Sequence, residues 1–99
     1  MRKKVVAICG SWKFRDKMQE MAERLQLEHG YAVITPVPHV LERELTAEEK
    51  ALMGDLHLAK IDLCDAVFVV NVGEYVGDAT RREIEYAKEK GKEIIYLED

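Results

Sequence analysis

The chain has 99 residues, 47% hydrophobic and 34% charged, with a formal net charge of −4. That length supports one core, so residues 1–99 are expected to form a single domain. The composition excludes intrinsic disorder, and the acidic balance excludes a nucleic-acid polymer held on a basic surface. No apolar run approaches the roughly 20 residues of a membrane span. Cys9 and Cys64 lack metal or redox spacing, and no signal peptide precedes them. They read as reduced, buried thiols of a cytoplasmic protein.

Strand and helix signals alternate along the chain. Lys4–Cys9 is a short apolar run closed by Gly10 and reads as a central strand. From Phe14 to His29, Met18, Met21, Ala22 and Leu25 recur at helical spacing, and Gly30 supplies the stop. His29 suits the negative end of that helix. Tyr31–Thr35 is a second strand, ended by Pro36 and Pro38. Thr46 and Glu49 form a T-x-x-E capping box for a second helix, about Ala47 to Leu63. Leu52, Leu56, Ala59 and Leu63 share one stripe of it, and Ala51, Leu58 and Ile61 lie off that stripe. So wide an apolar surface implies either a second subunit or cover from the 36–45 segment.

Ala66–Asn71 is the third strand, Thr80–Lys90 the third helix, stopped by Gly91, and Glu93–Leu97 the last strand. This βαβαβαβ order predicts an α/β, three-layer α/β/α sandwich with a four-stranded parallel sheet. A flavodoxin-like, Rossmann-like order 2-1-3-4 would bring the loops after the first and third strands together at the switch point.

Those loops carry the candidate chemistry. Gly10, Ser11, Trp12 and Lys13 follow the first strand and open a helix, where a glycine, a hydroxyl and free amides cradle an anion; Arg15 would add charge. A plain strand-to-helix turn accounts for the same residues. Asn71, Gly73, Gly77 and Thr80 follow the third strand, with two glycines that admit close backbone approach. Glu83 follows in the helix. Thr80-Arg-Arg-Glu83 is itself a T-x-x-E pattern, so Glu83 is either a cap, the simpler reading from spacing, or a carboxylate at the rim of the site. Tyr86, one turn later, would orient it or pack. Glu85 has Arg81 and Lys88 within reach as surface partners. His39, after the second strand, lies near the same rim, whereas His57 is a lone histidine on the second helix, as a rule solvated or at an interface; no histidine belongs to a metal constellation, and Asp65 most simply ends the second helix.

Taken together, these segments resemble the nucleoside 2-deoxyribosyltransferase superfamily, which includes the 5′-deoxynucleotide N-hydrolases. Ile8-Cys9-Gly10-Ser11 is similar to its first strand and phosphate turn, and Asp65–Val70 to its third strand. Gly77 through Ala87, followed by Gly91-Lys92, is similar to its catalytic-glutamate segment. The resemblance implies that Glu83 attacks the anomeric carbon of a nucleotide or nucleoside, with the glycosyl ester passing to water or another base. It implies phosphate binding by Ser11 and its neighbours, no cofactor or metal, and a homodimer or higher homo-oligomer. Two positions depart from it. Ala7 stands where the family has a tyrosine that orients the glutamate, and His57 stands where it has an aspartate. His57 would then help the base to leave, unless Asp55 or Asp62 substitutes after a shift of register. A binding module that holds a nucleotide without turnover is the alternative reading.

Overall fold

Residues 2–98 are described in a computed structural model; residues 1 and 99 of the expected domain lie outside them. Strand β1 (Val5–Gly10) runs through a 3-10 turn (Trp12–Phe14) into α1 (Arg15–His29). Then come β2 (Ala32–Ile34), α2 (Ala47–Asp62), β3 (Ala66–Val70), a 3-10 turn (Val72–Glu74), α3 (Asp78–Glu89) and β4 (Glu93–Tyr96). All strand pairs are parallel and the order is β2-β1-β3-β4, as the alternating pattern predicts. Every residue of β3 is buried, which is why it reads as an unbroken apolar run.

Alternate residues of β1 and β3 feed two core layers. Val6, Ile8, Phe68 and Val70 pack against Met18, Met21, Ala22 and Leu25 of α1. Ala7, Cys9, Val67 and Val69 pack on the other side with Ile61, Cys64, Ile84 and Ala87. Asp65 does more than end a helix. Its carboxylate accepts the Val5 amide at 2.8 Å and a two-pronged bond from Arg2, tying the start of β1 to that of β3.

Helix α2 begins with the expected reciprocal box: Glu49 donates its amide to Thr46 Oγ1 at 3.1 Å, and the Thr46 amide reaches Glu49 Oε1 at 2.9 Å. Its rotation differs from expectation. Leu52, Leu56 and Leu63 are 56%, 48% and 72% exposed, whereas His57 and Ile61, one turn apart, are buried. His57 bonds into the sheet and Ile61 fills the core layer, and these two contacts set the rotation against the longer leucine stripe. Nor does the 36–45 segment cover that stripe; Val37, Val40 and Leu41 are themselves exposed.

The β1–β2 ladder ends for a covalent reason. The Ala32 amide donates to the Lys4 carbonyl at 2.9 Å, and a parallel ladder repeats every two residues. Continued, it would bring the amide of residue 36 to the Ile8 carbonyl. Pro36 has no N–H, so pairing stops at Ile34 opposite Ala7 and the chain is free to diverge.

Gly10 is needed for packing. A Cβ there would sit 3.2 Å from the Val70 carbonyl oxygen, 3.3 Å from Met18 Sδ and 3.3 Å from Val70 Cβ. Two of the three are backbone or strand-anchored, so they yield little. Gly10→Ala is expected to lower stability by about 1–3 kcal/mol, read as a lower urea midpoint with unchanged slope; an unshifted midpoint would contradict the packing role.

Candidate functional site

At the carboxyl end of β1 a cleft of about 840 Å³ opens between α2, α3 and the 36–45 connection. That volume suits a small organic molecule. Gly10, Ser11 and Trp12 form one side, and Met53, Leu56 and His57 of α2 face it. Gly77, Thr80 and Glu83 bring in the start of α3. The walls are largely apolar, and the polar groups collect where β1 meets α3.

Glu83 is the central group. It does not cap its helix, because α3 starts two residues earlier than expected, with Gly77 in the cap position and no side-chain cap. That start places Thr80 in the first turn and Glu83 beyond it, turned inward. Its side chain is 15% exposed, and its Oε1 lies 3.9 Å from His57 Nε2. Burial pushes the Glu83 carboxyl up to about 7, with the Cys9 thiol and the Arg82 guanidinium pulling part of the way back. The uncapped first turn of α3 leaves amides free at the cleft, where an anion would be held.

His57 is 5% exposed, and its Nε2 lies 3.1 Å from the Ile8 carbonyl and 3.7 Å from Cys9 Sγ. It supplies the hydrogen bond that Pro36 withholds. Donating to that carbonyl requires the proton on Nε2, so Nδ1 carries a bare lone pair, buried and without a partner. Burial, then the nearby Lys60 charge, lowers the His57 pKa, while the Ile8 carbonyl opposes them. The imidazole is therefore neutral, with its one proton committed. Cys9 is fully buried beside it, and desolvation followed by the Glu83 charge raises its thiol well above the ordinary value.

Other expected residues take different places. Asn71 is spent on the chain end: its Nδ2 donates to the Glu98 carbonyl at 2.8 Å and its Oδ1 accepts the Glu98 amide at 2.9 Å. The Gly73 amide, in a left-handed turn with φ 63°, donates to the Glu98 carboxylate. Both lie outside the cleft. Lys13 places its ammonium 3.4 Å from the Tyr75 ring centroid and does not line the cleft either. Arg15 turns back to the Trp12 carbonyl. Tyr86 does not orient Glu83; its hydroxyl donates to Asp62 at 2.7 Å. Asp55 pairs with Arg82 at 2.9 Å. Neither aspartate thus stands in for the missing one. Ser11 does face the cleft, its hydroxyl only loosely engaged by the Lys13 amide at 3.5 Å.

Three participants were not singled out as site residues by the sequence. Cys9 was legible only as a buried thiol, although its alternation with Ala7 already put it on the α2/α3 side of the sheet. Lys60, whose Nζ reaches the Thr35 carbonyl at 3.3 Å, and Met53 join the lining through the fold of α2. Cys9, His57 and Glu83 offer donor atoms all within 4.8 Å of one another, a grouping that no sequence spacing announces.

The family model described as "Domain of unknown function (DUF4406)" matches residues 6–96, nearly the whole chain. The chain belongs to that family. No curated protein sequence matches this DUF4406 chain. Among solved structures it is similar to a 2-desoxiribosyltransferase from Leishmania mexicana, with a TM-score of 0.66 at 19% identity. The match covers 94% of this chain and 63% of that one, so this chain spans less than two thirds of the relative's length. At that identity the likeness establishes a shared fold, the deoxyribosyltransferase-like arrangement expected from the sequence. No helix among the described residues is long and apolar enough to cross a membrane.

The buried carboxyl makes a stability prediction with a definite sign. Burial holds the Glu83 carboxyl up at about 7 in the folded chain, against an ordinary value of 4.5. Between those values the folded state keeps a proton that the unfolded state has lost, so stability falls as pH rises and the full penalty stands above 7. Glu83→Gln removes the penalty. Relative to the native chain it should gain up to roughly 3 kcal/mol at about pH 8 and almost nothing at about pH 4. Urea denaturation at the two pH values checks this; a difference independent of pH would contradict it.

Proposed function

We propose that this chain, as one deoxyribosyltransferase-like domain over residues 1–99, cleaves or transfers the N-glycosidic bond of a nucleoside or nucleotide through Glu83. The observation that carries the reading is a buried carboxylate at the base of a cleft large enough for a nucleoside, on the fold of a deoxyribosyltransferase. The Glu83 carboxylate forms a bond to the anomeric carbon as the bond to the base breaks, and the base leaves with the electron pair. Water or a second base then displaces the ester. Ser11 and the amides of the α3 start hold an anionic substituent such as a 5′-phosphate. Trp12, Met53 and Leu56 offer the apolar wall that a base plane needs.

His57 acts here as a neutral neighbour packed beside Glu83 and Cys9, since its proton serves Ile8. The departing base takes its proton from solvent in the cleft. That arrangement also favours the second reading, a nucleotide-binding module without turnover, because Asp55 and Asp62 are both engaged outside the cleft. A cytoplasmic setting belongs to the same proposal and is supported by two free, buried thiols.

A panel of ribo- and deoxyribonucleosides and their 5′-monophosphates, with free base followed by chromatography, separates the two. Base release that Glu83→Gln abolishes with folding intact supports glycosyl chemistry. Thermal stabilisation by a ligand without release supports the binder, and neither response from any member would end the nucleotide reading. Within that panel, Ser11→Ala should weaken phosphate-bearing ligands by about tenfold and leave free nucleosides unchanged; equal losses would contradict its role.

The proposal includes self-association. Leu52, Leu56 and Leu63 form an exposed apolar face on α2, with exposed Val37 of the connection sharing the cleft lining with Leu56 and Leu63, and a second copy of the chain would cover it. Sedimentation should give an oligomer that Leu52→Glu dissociates. A native chain that sediments as the 11.4 kDa monomer at all concentrations would refute this.

A further inference from the structure

We propose that Cys9, His57 and Glu83 form a binding site for a thiophilic divalent cation of the zinc class, which blocks glycosyl chemistry by taking the Glu83 carboxylate as a ligand. The cation site stands on the geometry of the three side chains; only its blocking effect rests on the glycosyl reading. The three come from β1, α2 and α3, so separate rigid elements hold them. Sγ and Nε2 are 3.7 Å apart, Nε2 and Oε1 are 3.9 Å apart, and all three donor atoms fall within 4.8 Å. Zinc with sulfur at about 2.3 Å and nitrogen or oxygen at about 2.0–2.2 Å keeps tetrahedral ligands roughly 3.3–3.7 Å from one another. The cluster therefore needs to contract by at most about 1.3 Å along its longest edge.

The donor set is chemically selective. One thiolate, one imidazole and one carboxylate suit a borderline-soft ion and suit calcium or magnesium poorly. His57 and Glu83 both line the cleft, so a fourth position opens toward it for water or a ligand. Charge also balances: a thiolate and a carboxylate neutralise a doubly charged ion in a region where an unpaired charge is costly. The other charged groups nearby are already partnered, Arg82 with Asp55 and Lys60 with the Thr35 carbonyl.

Loading the site moves protons in a defined way. The Cys9 thiol gives its proton to solvent, as does Glu83 when protonated. His57 gives up the Nε2 proton as that nitrogen turns its lone pair to the metal, and takes a proton on Nδ1, which has no hydrogen-bond partner. The Ile8 carbonyl loses one hydrogen bond and three metal–ligand bonds form. Nothing is oxidised or reduced.

The test uses the intact, chelator-stripped protein and needs no nucleotide. Zinc titrated against a chromogenic chelator should bind one ion per chain, with a proton released. Cobalt(II) in its place should give the strong visible bands of a tetrahedral site and a near-ultraviolet thiolate-to-cobalt band. Cys9→Ser should remove the near-ultraviolet band, Cys64→Ser should keep it, and Glu83→Gln should weaken zinc by at least about tenfold. Absence of saturable uptake would overturn the proposal, as would a thiolate band that survives Cys9→Ser, or weak octahedral cobalt bands. Base release is assayed separately with chelator present. Metal uptake without release would refute the glycosyl reading alone, and release without uptake would refute the metal site alone.

Discussion

One missing hydrogen-bond donor organises the cleft. Pro36 cannot bond to the Ile8 carbonyl, so the strand ladder ends there and the connection after β2 swings away from the sheet. The exposed carbonyl is met by His57 Nε2 instead. A buried carbonyl left bare is costly, so this replacement is a strong constraint on α2. It fixes the rotation of the helix, turns Leu52 outward and Leu56 into the cleft wall, and sets an imidazole beside Cys9 and Glu83. The cleft is the space that opens where sheet pairing stops.

The same constraint creates the chemistry. A carboxylate at the start of a surface helix would ordinarily be solvated and fully ionised near neutral pH. Here the inward turn of α3 places Glu83 against a buried thiol and a neutral imidazole, and desolvation shifts it to about 7. That shift opposes folding above neutrality, yet it keeps a reactive oxygen donor out of bulk water. Groups held at such a disadvantage are characteristic of sites whose geometry serves a ligand rather than the fold. The three side chains that meet there are soft, basic and anionic, which is why one cluster suits either a glycosyl carbon or a thiophilic ion. The two proposed occupants would exclude each other, because both would need the same carboxylate.

The elements of this fold were readable residue by residue. Apolar runs at Val5–Cys9 and Ala66–Val70, a helical stripe ending at Gly30, and the Thr46/Glu49 box each specify a local structure, and their alternation specifies parallel layers. Ser11, Gly77, Thr80 and Glu83 were legible as neighbours of one sheet edge, and His57 entered only through the family resemblance. The readings that failed share a cause. Thr80-x-x-Glu83 matches a capping box in spacing, but the helix begins at Asp78, and only the packing of Ile84 and Ala87 decides where the turn starts. Asn71 and Gly73 sit in the loop where a ligand was expected, and Glu98, from the far end of the chain, takes their hydrogen bonds. Tyr86 lies one turn from Glu83 along the helix and points to Asp62 on its neighbour.

Composition and periodicity by themselves determined the class, the element order and the edge of the sheet where a ligand would sit. These follow from local backbone preference and from burial of alternating apolar residues, both of which act over a few neighbouring positions. Only the tertiary structure decided which side chains meet in the cleft. The partnership of Cys9, His57 and Glu83 depends on the relative rotation of two helices over one strand. That rotation is set by long-range hydrogen bonding and packing, for which adjacent residues carry no signal.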